Sequence, residues 1–111
     1  MKQIIVTHPE LPAVNLSVEQ QRALAGPGVW FERCYASTTP MGGGVPLARL
    51  VADIRALGVE TTLLTTDLGQ AANPAPVPGF RAYLAALLEA GFTQAELDLM
   101  ARRHPAQVLG L

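Results

Sequence analysis

The sequence contains a single cysteine, Cys34, among its 111 residues. One cysteine excludes an internal disulfide and any multi-cysteine zinc site. No motif surrounds Cys34, so it is predicted to be a buried, inert thiol that packs as a small hydrophobe.

Charge is also scarce, because charged residues make up 15% of the chain. Eight Lys and Arg stand against nine Asp and Glu, for a net charge of −1. This balance provides no basic surface for nucleic acid or for an anionic membrane, and neither is expected as a partner.

Long apolar runs are missing as well. No stretch approaches the roughly 18 residues that a membrane helix needs, and the first residues form too short an apolar run for a secretory signal. We therefore expect a cytoplasmic protein. Half of the residues are hydrophobic, which at this length predicts one core-forming domain that buries about two-thirds of its unfolded surface.

The hydrophobic pattern alternates between strand-like and helix-like segments. Apolar and β-branched runs predict strands at 3–7, 29–35 and 61–66. One-sided apolar stripes predict helices at 47–57 and 77–90, and capping signals predict helices at 18–25 and 94–103, with one more turn at 105–109. The order β-α-β-α-β-α-α indicates an α/β fold with parallel strands and right-handed crossovers. We expect a single unit over residues 1–111.

Local signals place several helix ends. Ser17 with Gln20, and Thr93 with Glu96, each match a capping box, in which the first side chain and the side chain three residues later satisfy each other's backbone amides. Gly58 is predicted to stop the second helix. His104, near the end of the chain, is predicted to cap the last helical turn.

Two predicted strands end in side chains that bind metals. His8 follows the first strand and Asp67 follows the third, and parallel strands bring their carboxyl ends to one edge of the sheet. Imidazole and carboxylate suit zinc, manganese or iron. Two ligands fall short of the three or more that a catalytic site takes from the protein. The structural alternatives are a turn cap for Asp67 and a solvent-facing turn residue for His8.

Two further features give weaker signals. Glu32 lies within the second strand, where a charge needs a partner or a polar site, and alternation places Arg33 on the opposite face. The glycine triplet at 42–44 precedes a helix and would bring backbone amides close to a phosphate. It lacks the spacing and the lysine of a phosphate-binding loop, so a flexible loop is the favoured interpretation.

Taken together, these residues make the chain resemble the C-terminal part of the amidohydrolase superfamily, metal-dependent hydrolases built on a (β/α)8 barrel, and within it an uncharacterised branch. Three segments carry the resemblance: Ile4–Pro9, Thr65–Gln70 and Pro105–Gly110. It implies that His8 is the metal-binding histidine ending the sixth barrel strand. It also implies that Asp67 is the aspartate ending the eighth, both a metal ligand and the general acid/base. Glu32 would fall on the seventh strand, where the superfamily has no standard ligand, so the resemblance assigns it no role. Glu32 and Gln70 are expected only as residues at the rim of the site.

The resemblance implies the last three βα units of a barrel, or about three-eighths of it. It also implies a divalent zinc or manganese ion and a small-molecule substrate. The ligands that the superfamily carries on its first, fourth and fifth strands have no counterpart here, and His104 stands where the superfamily usually has Asn. We therefore expect a hydrolase that is inactive as an isolated chain and needs an N-terminal part of the barrel or a partner chain.

Two other functions stay open. Three parallel strands leave two open edges that recruit further strands, which favours a non-catalytic module that forms a homo-oligomer. Alternatively, the glycine triplet would serve a small α/β domain that binds a phosphorylated ligand.

Overall fold

Three parallel strands, side by side in chain order, form the sheet. The computed structural model describes residues 2–111, and within them β1 (Ile4–Thr7), β2 (Val29–Cys34) and β3 (Thr62–Thr65) lie in the order β1-β2-β3. The registers align Thr7 with Glu32 and Cys34 with Thr65. Parallel pairing needs a crossover after each strand, and a helix supplies it. The predicted α/β fold is confirmed.

The helices occupy nearly the predicted ranges: α1 (Val18–Leu24), α2 (Leu47–Leu57), α3 (Pro76–Glu89), α4 (Gln94–Asp98) and α5 (His104–Val108). Both predicted capping boxes are confirmed. Gly58 ends α2 with a φ of 98°, a conformation that glycine adopts without strain. None of the helices within residues 2–111 is long and apolar enough to cross a membrane.

A π-helical segment, Leu99–Arg103, joins α4 directly to α5, so the predicted helix at 94–103 and the further turn at 105–109 form one continuous helix. The backbone N–H of His104 donates to the carbonyl of Leu99, five residues back. In a regular α-helix the Pro105 ring would clash with the carbonyl four residues earlier. A π turn widens the helix just before that position and lets it continue.

The first three helices cover one face of the sheet. Leu64 of β3 belongs to a buried cluster with residues of α2, α3 and the C-terminal helices: Leu50, Ile54, Tyr83, Leu87, Phe92, Leu97 and Met100. Arg33, in register with Leu64, lies on the same face and bonds to Gln21 of α1. Trp30, Glu32 and Cys34 point to the opposite face. Chain-order strands with helices on one side form the arrangement of consecutive βα units in a barrel wall.

His104 does not cap the last turn, contrary to the prediction. Its side chain is buried, and Nδ1 lies 2.8 Å from the carbonyl oxygen of Thr62. Since a carbonyl only accepts, Nδ1 carries a proton and donates it. The His104 ring also lies 4.9 Å from the Trp30 ring. The residue therefore attaches the C-terminal helix to the amino end of β3.

Candidate functional site

The carboxyl ends of β1 and β3 lie at the same edge of the sheet, on either side of β2. His8 directly follows β1, and its backbone N–H extends the ladder by donating to the carbonyl of Glu32 at 2.8 Å. Asp67 follows β3 after one residue. Because neighbouring strands are spaced about 4.8 Å apart, the axes of β1 and β3 are about 10 Å apart. The chain order of the strands thus brings the two predicted metal ligands to one rim.

His8 and Asp67 share a backbone conformation that most residues avoid. Their φ angles are 35° and 53°, in the left-handed region. Histidine and aspartate tolerate this region better than bulky or β-branched residues, yet it still costs energy. Residues with a strained, left-handed backbone are found more often at functional sites than elsewhere. Each of the two strands is therefore followed by an abrupt change of direction at the residue that was predicted to bind a metal.

The side chains of these two residues are differently placed. Nδ1 of His8 is buried and has no hydrogen-bond partner among the described residues, which is rare for a buried polar atom. Asp67 is exposed. The turn that follows is capped by Thr66, whose Oγ1 accepts from the N–H of Leu68 at 3.4 Å. An imidazole and an accessible carboxylate are ligand types that suit a divalent metal.

Cys34 lies between the two strand ends, and its predicted burial is confirmed. Its sulfur is 3.3 Å from Oγ1 of Thr65. Burial raises the pKa of the thiol to about 12, and the charges of Glu32 and Asp67 act in the same direction. Hydrogen bonds to Thr65 and to the backbone of His8 lower it by less. Only a thiolate binds a metal or acts as a nucleophile. The Cys34 side chain is therefore an uncharged packing group at this position.

Glu32 and Gln70, the expected rim residues, differ in position. Glu32 is half-buried on the middle strand, on the face that carries Cys34, and lies between the strands that end in His8 and Asp67. Gln70 is exposed in the loop after β3, where its Oε1 accepts from Nδ2 of Asn73 at 2.7 Å. That hydrogen bond organises the loop. Within residues 2–111, no three His, Cys, Asp or Glu side chains converge as a complete metal site.

A buried charged cluster on the helix-covered face is the main feature that was not predicted. It consists of Glu10, Gln21, Arg33 and Asp53, each at most 1% exposed. Arg33 Nη1 donates to Glu10 Oε2 and, at 2.9 Å, to Gln21 Oε1. Gln21 Nε2 donates to Asp53 Oδ2 at 3.0 Å. Buried charges are tolerated when they are paired in this way.

Burial raises the pKa of Glu10 to about 7, against the lowering effect of the Arg33 charge. The neighbouring Asp53 raises the pKa further. One sequence signal pointed to this cluster: Asp53 lies three residues after Leu50 and four before Leu57, within the apolar stripe of α2. Glu10, in the loop after β1, carried no such signal.

Comparison with protein-family models, curated proteins and solved structures finds no match for this chain. Its function is therefore argued from the geometry of the sheet edge and of the loops around it.

Proposed function

We propose that this chain carries part of the active site of a metal-dependent hydrolase of the amidohydrolase type. The observation that carries the proposal is the shared position of His8 and Asp67: both follow parallel strands at one edge, and both adopt left-handed backbone. His8, through its imidazole, and Asp67, through its carboxylate, would hold a divalent zinc or manganese ion. Such an ion supplies a water of lowered pKa.

The chain's own groups divide the remaining tasks. The Asp67 carboxylate accepts a proton from the attacking water and returns it to the leaving group. Glu32, between the two ligands on β2, orients a polar group of a small-molecule substrate. The buried Cys34 and the side chains around it keep water away from the base of the site.

The site needs further ligands, because two protein ligands are fewer than a catalytic zinc takes. The β1 edge of the sheet is where another polypeptide would add them. Ile4 and Ile5 are 56% and 44% exposed there, and an uncovered edge strand pairs readily with another chain. The isolated chain is accordingly expected to show little or no hydrolase activity.

Calorimetric titration with Zn²⁺ and Mn²⁺ tests the proposal. We expect weak binding that is lost in His8→Ala and in Asp67→Ala and kept in Asp98→Ala, which removes a carboxylate far along the chain in α4. Binding that ignores both substitutions would contradict the assignment. Tight stoichiometric binding by a monomer, abolished by Asp67→Ala, would show that the chain supplies a complete site.

The same exposed edge favours a second function, a non-catalytic module that assembles through β1. Light scattering then detects a homo-oligomer, and Ile5→Lys, which puts a charge on the edge strand, reduces it to a monomer. A well-folded monomer at high concentration would remove this alternative.

A further inference from the structure

A cleft of about 490 Å³ lies between two loops that follow the carboxyl ends of β1 and β2. One wall is the β1–α1 loop (residues 8–17), and the other is the glycine loop (residues 40–46) with the start of α2. In α/β folds, ligands bind outside the carboxyl ends of the strands. The volume falls within the range of small-molecule sites.

Close contact between the two loops closes the cleft at one point. A Cβ on Gly43 would lie 2.5 Å from Cγ of Pro12, and the φ of Gly43 is 105°. Only glycine combines this backbone with so near a neighbour. The glycine triplet thus shapes a cleft wall.

Glu10 gives the cleft lining its acidic part, called here the Glu10 end. Its Oε2 accepts from Arg33, but its Oε1 is buried without a partner among the described residues. An unpaired buried oxygen of this kind costs free energy unless a donor reaches it. Nε and Nη2 of Arg33 are also buried without partners but leave Oε1 unpaired, so an N–H group of a ligand would satisfy this oxygen.

Pro46 and Arg49 also line the cleft, and the start of α2 gives it an electropositive part, called here the α2 end. Helix α2 begins after Pro46, and no described side chain caps it or places an acid in its first turn. The first amides of a helix lack internal partners and attract anions. Arg49 lies beside them, and its bonds to Asn15, Leu16 and Asp53 use three of the five guanidinium N–H groups.

We propose that this cleft binds a compact zwitterion of the amino-acid class. Its carboxylate lies on the first amides of α2 and on Arg49, and its ammonium group donates to Oε1 of Glu10. A bare phosphate would satisfy only the α2 end and would face the Glu10 carboxylate. Neither His8 nor Asp67 lines this cleft, so its ligand-binding groups differ from the proposed metal ligands.

An NMR titration of the full chain with three zwitterions of increasing length, glycine, β-alanine and 4-aminobutyrate, tests the proposal. Acetate and methylammonium serve as probes of each end alone. At least one zwitterion should give saturable shifts at the amides of Gly43, Gly44, Leu47 and Ala48. Each single-charge probe should bind at least about tenfold more weakly, because a charged hydrogen bond is lost.

Two variants separate the ends of the cleft. Glu10→Gln should weaken the zwitterion about tenfold and leave acetate unchanged. Ala48→Pro removes one amide N–H in the first turn, where proline is tolerated, and should weaken the binding of both the zwitterion and acetate. Ala48→Ser keeps the N–H and should leave the binding of both unchanged. Since Ala48 is exposed, this pair decides the matter even where Glu10→Gln unfolds the protein. The proposal is overturned if inorganic phosphate binds at these amides more tightly than every zwitterion. It is also overturned if none of the three zwitterions gives a saturable shift.

Discussion

The guanidinium of Arg33 and the carboxylate of Glu10 form an ion pair with no side-chain exposure to solvent. Twenty-three positions separate the two residues along the chain. The pair connects β2 to the loop after β1, so it positions both His8 and one wall of the cleft. Gln21 and Asp53 extend it to α1 and α2.

Replacing Arg33 by Met tests the energetic role of this pair. The substitution leaves the Glu10 carboxylate buried without a cation, whereas Asp53 keeps its bond to Arg49. Loss of the buried pair should lower the free energy of unfolding by about 3–5 kcal/mol. In the control, Arg102→Met, the broken pair with Asp98 is largely exposed, and the loss of stability should be far smaller than in Arg33→Met. Urea unfolding measures both. Equal losses in the two variants would show that the buried pair adds nothing.

Two glycines allow a matched test of backbone packing. A Cβ on Gly42 would lie 1.7 Å from the carbonyl oxygen of Ala36, whereas a Cβ on Gly26 meets nothing within 4 Å. Gly42→Ala should therefore destabilise the protein by at least about 2 kcal/mol. Gly26→Ala should be neutral or stabilising by up to about 1 kcal/mol, because it restricts the unfolded chain. Thermal unfolding of the two variants gives the comparison. A Gly42→Ala protein as stable as the parent would argue against the close approach of Gly42 to Ala36.

Asp67 adopts a left-handed backbone conformation, and its carboxylate is proposed to bind a metal. Substitutions can test these two roles separately. Its φ of 53° is accepted by Asn and Gly, so Asp67→Asn and Asp67→Gly should keep the stability of the parent. Asp67→Val should cost about 1–2 kcal/mol, because a β-branched residue is strained there. All three should lose metal binding, as seen by calorimetry. Metal binding that survives in Asp67→Asn would show that the carboxylate is not a ligand.

Glu96 contributes a defined pH dependence. Bonds from the backbone N–H of Thr93 and from Arg55 lower the pKa of its carboxyl below the ordinary value of 4.5. This stabilisation is complete above that value and is lost as the pH falls through the lower pKa of the folded protein. Urea unfolding from about pH 6 to about pH 3 should show a weaker acid dependence in Glu96→Gln than in the parent. The same acid dependence in both proteins would contradict the pKa shift.

The elements of the fold followed from local pattern. The apolar stripe from Leu47 to Leu57 defined α2 without error, because a helix that buries one face must repeat apolar residues every three to four positions. Ser17 and Thr93 marked their helix starts because capping is completed within three residues. Helix ranges and helix caps depend on residues that are close along the chain, so they can be predicted from the sequence.

The buried polar network needed information that no local pattern holds. The hydrogen bond from Gln21 to Asp53 joins residues 32 positions apart, and the bond from His104 to the carbonyl of Thr62 joins residues 42 positions apart. A histidine after two arginines therefore looked like a cap, although its side chain faces the sheet. The rim of the sheet was foreseeable, since parallel strands alone bring His8 and Asp67 to one edge.

Trp30, the one tryptophan of the chain, packs its ring against His104 and donates its indole N–H to Gln3 at 2.6 Å. Indole emission depends on the polarity of its surroundings, so this native fluorophore reports whether the C-terminal helix is docked. Circular dichroism follows helix content instead. Recording both signals during refolding distinguishes a helix that has formed from one that has reached the sheet.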